Sequence, residues 1–212
     1  MEYSGQYLYP PRPSEKVSST MLGFFDKQRT NGVAKYITQI KKNGTCSVTI
    51  ISPDKKVQCW TRHKEAHKAW TPSMKTLSPM IDVSSGWTVF VSELLHSKGT
   101  GSTDTQYIFD ILVYDNNYMV GSTFGERQNL LMDLFSSNFV DETVSHNVIT
   151  NKIWLAKNHT SGFKQLFDNI TSIEDEGVVI KEWNAKLDFC SRELANSNWQ
   201  FKSRKATKNY SF

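Results

Sequence analysis

The sequence predicts an α+β fold of antiparallel β-sheets flanked by helices, with residues 1–212 forming a single domain. Three observations carry this. Hydrophobic residues make up 38% and aromatic residues 12% of the chain, enough for a packed core of one domain. Apolar runs of strand length recur between turn signals along most of the chain. Apolar residues at helical spacing are confined to a few short stretches.

Residues 1–20 read as an extended lead-in, because Tyr9-Pro10-Pro11-Arg12-Pro13 holds each residue before a proline out of the helical region. A short helix is expected over 19–29. Residues 34–51 are β-rich, with Tyr36, Ile37 and Ile40 before Asn43-Gly44 and Cys46, Val48, Ile50 and Ile51 after it. Asn-Gly between two such runs predicts a β-hairpin. The next strand is Val57–Thr61. Residues 64–70 are polar and read as a loop or a helical turn, and 77–81 begin a buried segment.

Strands are predicted at 87–95 and 107–114. Asp115-Asn116-Asn117 turns the second of these into a short strand at 118–120. Phe124–Phe135 places Leu130, Leu131, Leu134 and Phe135 at helical spacing, and 162–171 suggest another helix. Late strands are expected at 178–182 and 199–202. Antiparallel hairpins should dominate this arrangement.

No stretch approaches the roughly 20 apolar residues a membrane-spanning helix needs. The first thirteen residues lack the basic start and apolar run of a secretory leader. A cytoplasmic protein with no membrane partner is expected, in the host cytoplasm if it is viral. Cys46, Cys59 and Cys190 form no C-x-x-C pair, against a disulfide framework or a cysteine zinc site. The net charge of +4 is concentrated at the end, where residues 181–212 carry seven Lys/Arg against three acids. A basic end fits polyphosphate or nucleic acid, although a solvated tail has the same composition.

Three separated segments carry chemistry. Lys41-Lys42-Asn43-Gly44 is ordinarily a turn with solvated lysines. It is also what a nucleophilic amine requires, since desolvation or nearby cations help a lysine lose its proton and glycine lets backbone approach phosphates. Glu176-Gly177-Val178-Val179 follows Glu174-Asp175. It reads either as a turn into a strand or as a carboxylate holding magnesium, which takes oxygen ligands and shields triphosphate charge. Lys202, Arg204 and Lys205 after Trp199 form either a basic edge strand or cations that hold an α-phosphate in phosphoryl transfer. His63 and His67 have i, i+4 spacing but lack an evident third metal ligand. Phosphate loops, dinucleotide fingerprints and nucleophile elbows are absent.

In this order the segments resemble the covalent nucleotidyltransferase superfamily, which includes RNA ligases and mRNA capping enzymes. Over about residues 9–210 the chain is similar to the adenylyltransferase domain of ATP-dependent polynucleotide ligases, in the minimal form that phages encode. The resemblance implies that Lys41 is the nucleophile, with Gln39 and Ile40 beside the nucleotide. Arg62 of Thr61-Arg62 would contact the nucleotide or the nick phosphate, and Glu93 of Val91-Ser92-Glu93-Leu94-Leu95 would hydrogen-bond the ribose. Phe109 of Phe109-Asp110 would stack on adenine. Residues 121–131 look like the ligase segment that ends in Glu-Arg and paired leucines. Glu176 would serve the metal and the nucleotide, and Lys202 with Arg204 would close the set; Gln200 with Lys202 is the other pairing.

The sequence departs from that pattern in three places. Gln39 stands where many ligases place a glutamate that reads the adenine amino group. Cys46 stands where arginine is common. The resemblance stops short of a C-terminal oligonucleotide-binding (OB) domain, so the expectation is that either the core does that domain's jobs weakly or a partner protein supplies them. ATP and Mg²⁺ are the implied cofactors. The implied substrate is nucleic acid with 5′-phosphate and 3′-hydroxyl ends, DNA before RNA, joined as in DNA replication or repair. An RNA ligase and an inactive nucleic-acid- or nucleotide-binding module are the alternatives.

Overall fold

A computed structural model describes residues 1–68, 70, 72–95, 102–192 and 196–205. Ala69 of the polar segment, Lys208 of the basic end and the last residues of the resemblance lie outside the described residues. The elements in order are β1 (Arg12–Lys16), α1 (Leu22–Lys27), β2 (Arg29–Thr30), β3 (Val33–Ala34), β4 (Tyr36–Lys42), β5 (Thr45–Ile51), β6 (Val57–Thr61), α2 (Met74–Asp82) and β7 (Thr88–Leu95). They continue with β8 (Thr105–Tyr114), β9 (Asn117–Tyr118), α3 (Phe124–Phe135), β10 (Asp141–Glu142), β11 (His146–Val148), β12 (Ile153–Ala156), α4 (Phe163–Asp168), β13 (Asp175–Glu182) and β14 (Asn196–Arg204).

The strands form an eight-stranded sheet, ordered β10-β11-β12-β8-β7-β5-β6 with β9 beside β8, a four-stranded sheet ordered β1-β14-β13-β4, and the β2-β3 ribbon. This is the expected α+β class. Among the described residues, no strands are left over to form an OB barrel. No described helix is long and apolar enough to cross a membrane.

The hairpin expected at Asn43-Gly44 does not form. Instead β4 pairs with β13, while β5 pairs with β6 and β7, so the two strands belong to different sheets. The Asn43 N–H donates to Glu174 O at 2.7 Å, which carries the chain onward instead of back. The turn signal was real but local. What decides the pairing is burial: Ile40 packs with Val178, Ile180 and Phe163, whereas Val48 and Ile50 pack with Val89, Val91 and Leu112. Antiparallel pairing dominates as expected, with two parallel exceptions, β1 beside β14 and β12 beside β8.

Other elements shift at their ends. The helix expected over 19–29 is a 3₁₀ turn at Ser19–Met21 followed by α1. The buried segment at 77–81 lies within α2, and the helix at 162–171 shortens to α4. Helix α3 starts where its capping box directs: Thr123 Oγ1 accepts the Glu126 N–H and the Glu126 carboxylate accepts the Thr123 N–H. Strands β10 to β12 were not foreseen, being short and partly polar. The three cysteines are unpaired.

Four apolar clusters form among the described residues, the smallest around Ile37, Phe124 and Trp199. One lies between α2, α3 and the larger sheet, around Met80, Phe90, Ile111, Leu131 and Phe135. A second lies on that sheet's other face, where Tyr7 and Leu8 of the lead-in cover Val48 and Leu112. The third joins α1 and α4 to one face of the four-stranded sheet. That last packing leaves the sheet's opposite face turned toward the larger sheet.

Candidate active site

Strand alternation builds the floor of a cleft on that opposite face. Ile40, Val178, Ile180 and Phe201 point into the core beneath α1 and α4, so their neighbours along each strand face the other way. Cross-strand register then aligns Lys41, Gly177 and Arg204 in one row and Gln39, Val179 and Lys202 in the next. The larger sheet supplies the opposing wall with Glu93, Tyr107 and Phe109, and Arg62 comes from the end of β6. The cleft measures about 660 Å³ and is lined by every one of Gln39, Ile40, Lys41, Arg62, Glu93, Phe109, Glu176, Lys202 and Arg204. Gln200 also lines it, so both candidate pairs from the last strand face inward.

Glu176 reaches the cleft against strict alternation. A bulge between Asp175 and Gly177 breaks the register with β4, and Gly177 takes φ 144°, where glycine is favoured. A Cβ at this position would lie 2.0 Å from Ser203 O. Gly44 is needed for a different reason: a Cβ there would lie 2.4 Å from Leu94 O and 2.9 Å from the Glu93 side chain.

At the centre, Lys41 Nζ donates to Glu176 Oε2 at 2.6 Å, and Arg204 Nε lies 3.2 Å from the same oxygen. Both lysine and glutamate side chains are largely covered, at 17% and 13% exposure. Next to them Lys42 Nζ pairs with Asp175 Oδ1 at 2.7 Å and sits over the Tyr107 and Trp154 rings. Burial pushes the Glu93 carboxyl up to about 7 against the pull of Lys41; the nearby Glu176 charge adds to the rise, while the Gly44 N–H and Arg204 oppose it. The Cys46 thiol, opposite Glu93 on β5, is pushed up to about 12, first by burial and then by Glu93.

The other end of the cleft is a closed polar network. Lys181 Nζ donates to Gln39 Oε1 at 2.7 Å. Gln39 Nε2 donates to Gln128 Oε1 at 3.1 Å and Asn158 Oδ1 at 2.8 Å. The Lys181 ammonium lies between the Phe109 and Phe124 rings, 4.9 and 4.6 Å from their centroids. Burial draws its pKa down to about 7, with Asp110 opposing. Lys181, Lys42, Tyr107 and Arg12 were missed in the sequence. Lys181 was the most accessible of them, because two-residue alternation from Val179 places it on the same face.

The lining has polar groups that a bound ligand would complete. Arg62 Nη2 is buried and meets no hydrogen-bond partner among the described residues, and a buried unsatisfied donor is costly. The Lys202 ammonium likewise meets no acid or acceptor among the described residues; its pKa is lowered by burial and by four neighbouring cations. A volume of this size, with one aromatic face and convergent polar groups, suits a small ligand. For a divalent cation the described residues hold no group of three candidate ligands, His63 and His67 included. One carboxylate such as Glu176, completed by phosphate oxygens and water, remains a normal Mg²⁺ arrangement.

No protein-family profile matches the chain. No curated protein matches it by sequence. Solved structures do. A mycobacterial DNA ligase D complexed with ATP and MES superimposes with a TM-score of 0.64 at 14% identity, covering 93% of this chain and 60% of that one. The ligase domain of LigD from M. tuberculosis gives 0.62 at 14% identity, with the same coverage. A structure of Lig E DNA ligases, described as binding DNA with a minimal scaffold, gives 0.56 at 12% identity over 92% of this chain and 69% of that one. The fold is therefore that of the nucleotidyltransferase domain of DNA ligases. The chain spans about 60% of the length of the LigD structures it matches.

Proposed function

We propose that this protein is an ATP-dependent polynucleotide ligase acting through a lysyl-AMP intermediate. The observation that carries the reading is the contact between Lys41 and Glu176 inside the cleft, flanked by Arg204 and Lys202. A lysine shielded from solvent, hydrogen-bonded to a carboxylate and facing the Arg204 and Lys202 cations is arranged to attack phosphorus, not to solvate a surface.

In this mechanism the Lys41 amine, after losing its ammonium proton, forms an N–P bond to the α-phosphate of ATP. The bond from phosphorus to the bridging oxygen breaks and pyrophosphate leaves. A second proton departs as the phosphoramide forms. Glu176 orients the amine through its hydrogen bond, and Arg204 and Lys202 neutralise charge on the α-phosphate. Phe109 offers its ring to the base, and Glu93 offers an acceptor to the ribose. Mg²⁺, when held by Glu176 with phosphate oxygens, would further neutralise the triphosphate.

AMP then passes from Lys41 to a nucleic-acid 5′-phosphate, and an adjoining 3′-hydroxyl displaces it to seal the strand. DNA is the favoured acceptor, because the Phe109-Asp110 and Glu126-Arg127 segments resemble those of DNA ligases and the solved structures that share the fold are DNA ligases.

The test is incubation with α-labelled ATP and magnesium, followed by denaturing electrophoresis and peptide mapping. Label on Lys41 that is absent from Lys41→Ala supports the reading. Label on another residue overturns the assignment to Lys41, and no label with ATP, GTP or NAD overturns the reading in favour of a binding module. Sealing of nicked DNA compared with nicked RNA decides the acceptor.

A further inference from the structure

Strand β1 places cations on the far side of the cleft from the nucleophile. The four-stranded sheet runs β1-β14-β13-β4, so Lys41 lies on one edge strand and Arg12 and Lys16 on the other. Adjacent strands are spaced about 4.8 Å, which separates the two edges by roughly 14 Å. The strand is firmly attached: it pairs in parallel with β14, Lys16 is in register with Lys202, and Val17 N–H donates to Lys202 O at 2.9 Å. Pro13 is tolerated within it because β1 is an edge strand. Arg12 lines the cleft between Pro11 and Pro13, and ring-fixed φ angles on either side stiffen its approach. Arg12, Lys16, Lys41 and Arg204 all act electrostatically on Lys202.

We propose that Arg12 and Lys16 form the subsite for the β- and γ-phosphates of the donor nucleotide, and hold the pyrophosphate that departs. This rests on the lysyl-nucleotidyl reading above and adds a leaving-group site to it. Displacement at phosphorus is in line, so the leaving group lies opposite the attacking nitrogen. Crossing the sheet from Lys41, the α-phosphate meets Lys202 and Arg204 on β14, and the next charges met are those of β1. A phosphate chain that extends past Lys202 and Arg204 in this direction therefore reaches Arg12 and Lys16, whose positive charge suits a polyanion.

The experiment compares wild type with Arg12→Gln, with Lys16→Gln at the exposed position, and with Lys16→Glu. Matched melting temperatures show that each variant is folded. Protein carrying lysyl-AMP is treated with pyrophosphate, and the regeneration of ATP is followed against pyrophosphate concentration. Each neutralised charge should raise the half-saturating pyrophosphate concentration by about tenfold, as loss of one charge-assisted contact predicts, and Lys16→Glu should raise it further. Sealing of a pre-adenylated nick should be unchanged. Unaltered pyrophosphate dependence overturns the subsite, as does a defect confined to the pre-adenylated nick, which would assign β1 to nucleic acid.

A wild type that never becomes labelled refutes the catalytic reading instead. The subsite is then judged by calorimetric titration with inorganic tripolyphosphate. Binding weakened in Arg12→Gln and Lys16→Gln upholds it, and equal binding or none overturns it.

Discussion

The Lys41 ammonium and the Glu176 carboxylate, 135 positions apart in the chain, meet at 2.6 Å because β4 and β13 are antiparallel neighbours with a bulge at Gly177. Replacing Glu176 with Gln keeps the shape but removes the charge shared by Lys41 and Arg204. Single-turnover labelling from ATP should slow by about a hundredfold or more, with little change in melting temperature. An undiminished rate would show that Glu176 has no part in the first step.

Gln39 explains its own departure from the glutamate seen in many ligases. Its carbonyl is taken by Lys181 and its amide donates to two side-chain oxygens, those of Gln128 and Asn158. Gln39→Glu would set a carboxylate against both oxygens with no proton to share. We expect a loss of about 1–3 kcal/mol in stability by denaturant unfolding. The double variant Gln39→Glu/Gln128→Lys should recover part of it.

Glu93 links pH to stability. Its carboxyl is raised in the folded protein from an ordinary value of 4.5 to about 7, so the fold binds this proton more tightly than the unfolded chain does. The resulting stabilisation is complete below about 4.5 and is lost as pH rises through 7. Glu93→Gln removes this dependence. Melting temperature measured from pH 5 to 8 should fall less steeply in the variant than in wild type; parallel curves would show that Glu93 is not the group responsible.

The Asp110–Arg127 pair is nearly inaccessible, with side-chain exposures of 4% and 0%. Arg127 also donates to Ser122 O at 3.0 Å and packs its guanidinium against Phe124 and Trp199. Removing one partner leaves a buried charge, so Asp110→Asn or Arg127→Met should each cost about 3–5 kcal/mol. The combination Asp110→Asn/Arg127→Met should cost less than the two single effects added together, which a double-mutant cycle by urea unfolding measures.

The sequence disclosed the site better than the topology. Lys41, Glu176, Lys202 and Arg204 stood out from short patterns and Glu93 and Phe109 from the family resemblance, and the fold brings all of them to one cleft. The strands that carry them were also legible, because period-two alternation is a local property. Which strand pairs with which was not. Asn43-Gly44 carries a turn signal whether the chain folds back or crosses to another sheet, and only distant residues such as Val178 and Val89 distinguish the two. Arg12 was read as part of a proline-rich lead-in because nothing within ten residues announces its pairing with β14. Lys181 was counted only as charge, although its neighbour Ile180 is a core residue and alternation turns it to the cleft.

Strand β13 carries two interleaved scripts. One is written in Val178 and Ile180 for the interior, the other in Val179 and Lys181 for the cleft, and Glu176 joins the second only through the single irregular step at Gly177. A slip of one residue would drive Lys181 into the apolar core and withdraw the aliphatic side chains from it, an error the packing rejects. The aim of the Glu176 carboxylate at Lys41 is therefore enforced by residues that do not line the cleft. Variation that respects hydrophobicity beneath α1 and α4 will leave that aim intact, whereas one inserted or deleted residue between Asp175 and Glu182 will not.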